Sequence, residues 1–81
     1  MVTLREWLET NYSKHLASGV EKVISVNDLE LMQGVNINIG SPLEKILVDK
    51  PVVKYLDYQV KVVEPAETDD GESFVWIGVK S

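Results

Sequence analysis

Apolar residues near the start of the chain recur at helical spacing. Leu4, Trp7, Leu8, Tyr12 and Leu16, with His15 among them, line one face of a helix. Thr3-Leu4-Arg5-Glu6 has the form of a capping box, in which the Thr3 hydroxyl accepts from the Glu6 N–H and the Glu6 carboxylate reaches back. Val2 and Trp7 stand where a hydrophobic staple would place them, and Gly19 supplies a left-handed stop. The pattern predicts a helix over 4–17.

The period then changes to two. Val20, Ile24 and Val26, and again Val35, Ile37 and Ile39, alternate with polar positions, as half-buried strands do. With Asn27-Asp28 as a two-residue turn, Val26 would pair with Leu29, Ile24 with Leu31 and Val20 with Val35. That register puts the apolar residues of both strands on one face. Ser41-Pro42-Leu43-Glu44 reads as a second capping box, with a short stripe of Leu43, Ile46 and Leu47 before Pro51 ends the helix.

The next extended run, from about 56 to 63, leads to the turn dipeptide Asp70-Gly71. Pairing across that turn sets Val62 opposite Val79. Tyr58, Val60 and Val62 then share a face with Val75, Ile77 and Val79. Phe74 and Trp76 point the other way, beside Val63 and Pro65. Either one of the chain's own helices covers that face, or it is an apolar patch meant for another chain. The expected fold is a single α+β domain over 1–81, in the order α-β-β-α-β-β. It has an antiparallel sheet of two hairpins and two helices packed mainly on one face.

The opening TLREWL, followed by a hairpin, a short second helix and a final hairpin, resembles small uncharacterised proteins of phages and plasmids in Gram-positive bacteria. The resemblance implies an accessory protein of a mobile element, and it carries over no active site.

Charge sharpens this picture. The net charge is −5, and five of the thirteen acidic residues, Glu64, Glu67, Asp69, Asp70 and Glu72, fall within residues 64–72. Eight acidic and eight basic side chains share the remainder, so the whole surplus lies in one short segment. Phosphate contacts need clustered Lys and Arg, so direct nucleic-acid binding is not expected. The absence of cysteine removes disulfides, thiolate catalysis and Cys-based zinc sites. No apolar run approaches a membrane span, and MVTLREW lacks the layout of a secretory leader, so a cytoplasmic location is expected.

Catalytic chemistry finds little support. His15 is the sole histidine, and Ser13 and Lys14 point around the helix rather than toward it. The five glycines are isolated, which rules against a phosphate-binding loop, and ETDDGE lacks the ligand spacing of an EF-hand. No enzyme, cofactor or metal site is expected. Two readings of the acidic segment remain. It is either a solvated hairpin tip, or a negative lobe that docks on a basic patch of another protein. Under the second, Glu64, Glu67, Asp69, Asp70, Glu72, Phe74 and Trp76 form the protein-binding site of a non-catalytic inhibitor of a host protein. The alternative is an assembly protein that forms a homodimer through its C-terminal hairpin.

Overall fold

Thr3 starts the first helix as its sequence demands. In the computed structural model, which describes residues 2–81, α1 spans Leu4–Ser18 and both halves of the capping box are made. Glu6 N–H donates to the Thr3 hydroxyl (3.3 Å), and Thr3 N–H donates to Glu6 Oε1 (3.1 Å). The next free donors of the helix, Leu4 N–H and Arg5 N–H, reach the carbonyls of Tyr58 and Leu56. Gly19 ends the helix in the left-handed region (φ 66°). Leu4, Trp7, Leu8 and Tyr12 are buried, whereas Leu16 lies beyond the covered stripe and is exposed. His15 stacks on Trp7 (5.6 Å between ring centroids), with Nδ1 3.5 Å from Glu21 Oε2. Burial opposes ionisation of Glu21, but hydrogen bonds from its own backbone, His15 and Ser18 hold its pKa below the ordinary carboxylate value.

The sheet is mixed rather than antiparallel. β1 (Val23–Asp28), β2 (Gly34–Asn38), β3 (Gln59–Glu67) and β4 (Ser73–Lys80) lie in the order β2-β1-β4-β3. The two hairpins join through a parallel pairing of β1 with β4, Val26 beside Ile77. Both hairpin registers differ from the expected ones. In the first, Val26 pairs with Val35 and Ile24 with Ile37, while residues 29–33 form a loop instead of strand. The cause is Asp28, whose buried carboxylate accepts from the N–H groups of Glu30 and Leu31 and turns the chain there.

The second hairpin is slipped by one residue. Gly71 N–H closes the turn on Thr68 C=O, so Asp69 and Asp70 occupy its centre and Gly71 follows in the left-handed region (φ 82°). Val63 therefore pairs with Ile77, and Val62 with Gly78. An irregularity between Val60 and Val62 shifts the register once more, so that Val60, rather than the expected Val62, stands opposite Val79.

Three helices, not two, accompany the sheet. α2 (Leu43–Ile46) is capped at Pro42 without a side-chain bond, so Ser41 does not act as a cap. α3 (Lys50–Val53) carries Pro51 in its first turn, where proline starts a helix rather than stopping one. Buried residues of all three helices join Ile24, Val26, Ile37, Val75, Ile77 and Val79 in one hydrophobic cluster. The helices thus cover a single face of the sheet.

These caps give a paired expectation. Thr3→Ala should cost about 1 kcal/mol, and Ser41→Ala less than about 0.5 kcal/mol, in urea denaturation. The Thr3 N–H, followed by its hydroxyl, lowers the pKa of Glu6. A lowered carboxylate stabilises fully above its unfolded pKa and loses that contribution as pH falls through its folded value. The gap between wild type and Thr3→Ala should therefore narrow through that acid window. A gap that is constant with pH would show that the Thr3 hydroxyl does not act through Glu6, whose bond from the residue-3 N–H survives the substitution.

Candidate functional site

Strand alternation decides which side chains the helices leave uncovered. Ile24 and Val26 face the core, so Ser25 and Asn27 face away, and the paired positions Asn36, Trp76 and Gly78 go with them. Across the second hairpin, Ala66 stands opposite Phe74 and Glu64 opposite Trp76. The aromatic pair is therefore beside Ala66 and Glu64, not Val63 and Pro65. It does not lie under α1, which packs on the other face.

Phe74 and Trp76 are nonetheless half-buried, and local packing explains why. A Cβ built on Gly78 would meet Leu29 Cδ2 at 2.9 Å and Trp76 Cζ3 at 3.0 Å. The indole and Leu29 thus fill the space over a glycine in the middle of the sheet. Leu29 N–H donates to Val79 C=O (2.9 Å), which fixes the loop that brings it there. Phe74 lines a cavity of about 290 Å³ with Lys22, Ser25, Asn36, Thr68 and Glu72.

The carboxylates divide into two groups. Glu64 and Glu67 belong to β3, while Asp69, Asp70 and Glu72 lie in the turn, and all five are exposed. Glu64 borders Trp76, and Glu72 borders the Phe74 cavity. Glu67, Asp69 and Asp70 form the tip itself. The Thr68 hydroxyl accepts from Glu72 N–H (3.1 Å) and Thr68 N–H donates to Glu72 C=O (2.9 Å), so the tip is pinned across its base.

Leu29, Lys22, Ser25 and Thr68 escape the reading from sequence. Alternation marks Ser25 as outward, but nothing local brings it near residue 74. Leu29 looks like a strand residue until Asp28 turns the chain. The C-terminal strand β4 lies inside the sheet with both edges paired, so self-association through it would have to use its face. Among the described residues no helix is long and apolar enough to cross a membrane. Comparison with family models, with curated proteins and with solved structures finds no match to this chain.

Proposed function

We propose that this protein is a non-catalytic binding module that occupies a basic surface of another protein. Its contact surface is the uncovered sheet face together with the acidic tip of the β3–β4 hairpin. The observation that carries this reading is the placement of exposed Glu64 and Glu72 around half-buried Trp76 and Phe74 on one face. An apolar, aromatic centre with a charged rim is the usual anatomy of a protein interface. Aromatic anchors supply residence time, and rim charge supplies steering and choice of partner. Concentrated negative charge suits a surface that otherwise holds phosphate, so a host nucleic-acid-binding protein is the favoured target class. Such an accessory protein of a mobile element would act in the cytoplasm by surface occupation.

The test compares wild type with a variant carrying Glu67→Gln, Asp69→Asn, Asp70→Asn and Glu72→Gln. These changes keep shape and remove four charges. Capture from a bacterial lysate should recover a basic protein with wild type but not with the variant. With the purified pair, association should slow roughly tenfold or more, and its salt dependence should flatten. Trp76→Ala should act mainly on the dissociation rate. A partner whose association is indifferent to both charge removal and salt would sink the electrostatic reading.

A further inference from the structure

The cavity beside Phe74 has its origin in a mismatch of strand ends. β4 begins at Ser73, yet its pairing with β1 begins only at Val75. The hairpin tip therefore stands clear of the entry to β1, and the gap between them is the cavity of about 290 Å³. Ser25 and Asn36, partners across β1 and β2, line it from the sheet. Thr68, Glu72 and Phe74 line it from the hairpin, where the two Thr68–Glu72 bonds hold the wall in place. Lys22, just before β1, completes it.

Polar groups in this lining have capacity to spare. The Ser25 hydroxyl accepts from Asn27 Nδ2 (3.2 Å) and the Thr68 hydroxyl from Glu72 N–H (3.1 Å), so each still has a proton to donate. The Asn36 amide has no side-chain partner among the described residues. Lys22 and Glu72 are opposite charges on one cavity, and among the described residues neither pairs with the other or with a third group. Two other grooves lack this combination. One of about 510 Å³ that also reaches Phe74 has Glu21 and Glu67 as its charged residues, and Glu21 is already bonded to His15 and Ser18. The other, about 250 Å³ along β2, has Lys45 and Asp49 but no aromatic ring.

We propose that the Phe74 cavity binds a free α-amino acid with an apolar side chain. The Lys22 ammonium takes the ligand carboxylate, the Glu72 carboxylate takes its ammonium, and Phe74 with Val23 packs on its side chain. Ser25 and Asn36 supply hydrogen bonds from the floor. Charge selects this class of ligand. An anion alone would meet Glu72, and a cation alone would meet Lys22, whereas a molecule with both charges on one carbon uses each. Size agrees, since a cavity at the bottom of the usual range of about 300–1,000 Å³ suits a ligand of about a dozen non-hydrogen atoms. Lys22 and Glu72 are exposed, so the affinity is modest, with a Kd on the order of 1 mM. The site shares Glu72 and Phe74 with the contact surface proposed above, but it stands or falls without any protein partner.

Chemical-shift titration of the isotope-labelled chain with L-phenylalanine tests this, at about pH 6 where α-amines carry their charge. Shifts should gather at the amides of Ser25, Asn36, Ser73 and Phe74. Two further probes each remove one charge. N-acetyl-L-phenylalanine keeps only the carboxylate, as a peptide C-terminus does, and L-phenylalaninamide keeps only the ammonium, as an N-terminus does. Each should bind roughly tenfold more weakly than the amino acid, a difference of about one screened ion pair in a partly desolvated site. Lys22→Gln should erase the preference over the amide, and Glu72→Gln the preference over the N-acetyl derivative. This crossed pattern assigns each charge to its partner, and a general loss of structure would not produce it. L-phenylalanine that moves none of these amides at about twenty times the expected Kd overturns the inference. So does either derivative binding wild type as tightly as the amino acid, or a preference that both variants retain.

Discussion

Ile77→Ala is expected to remove about 3–4 kcal/mol of folding stability, the middle of the range for truncating a buried isoleucine. A chain of this length has on the order of 5 kcal/mol to lose, so the variant should sit close to its unfolding transition in water. The size of the effect follows from topology. Ile77 is fully buried in an interior strand, with Val26 beside it in parallel register and Val63 in antiparallel register. Truncation opens a void against β1, β3 and the helices together, with no exposed edge to collapse inward. Val63 pairs with the same residue but is 44% exposed on the outer strand, and Val63→Ala should cost less than about 1 kcal/mol. Urea midpoints measure both. Were the two substitutions to cost the same, β4 would not be the interior strand, and the mixed sheet would be wrong.

The elements that sequence reading places well are those whose causes are local. Thr3, Glu6 and Gly19 define α1 through bonds and backbone angles confined to the helix ends, and the structure keeps them all. Pairing between β1 and β4 has no such signature. Its partners stand about fifty positions apart, and parallel strands joined through a long connection leave no turn dipeptide to read. The acidic site shows both sides of this. Clustering of charge in residues 64–72 is visible in composition. Which residues share the face of Trp76 depends on a single-residue slip at the turn, where Thr68 rather than the dipeptide Asp70-Gly71 sets the closure. One residue of slip moves a strand's side chains to the opposite face. That is why Glu64 and Ala66, not Val63 and Pro65, lie beside the aromatic pair.

Asp28→Ala is expected to cost about 2–3 kcal/mol, because hydrogen bonds to a charged acceptor are among the stronger ones and their donors would be left without it. Asp28 is 3% exposed, and its Oδ1 accepts from Glu30 N–H (2.9 Å) and Leu31 N–H (3.1 Å). Its main chain closes the same loop, donating to Gln33 C=O and accepting from Met32 N–H (2.9 Å). Met32 is held there at φ 55°, a left-handed angle that a methionine adopts only when its surroundings impose it. Asp28→Asn keeps an oxygen in the accepting position and should cost less than half as much. The comparison separates loop closure from simple loss of charge, since charge loss alone would make the two variants equal. A second readout ties the loop to the binding face. Leu29 follows Asp28 directly and packs on Gly78 beside the Trp76 ring, so a loosened loop should shift the Trp76 indole resonance in Asp28→Ala and much less in Asp28→Asn. An Asp28→Ala protein with an unchanged urea midpoint and an unmoved Trp76 resonance would show that the carboxylate does not organise the loop. The packing of Leu29 over Gly78 would then need another cause.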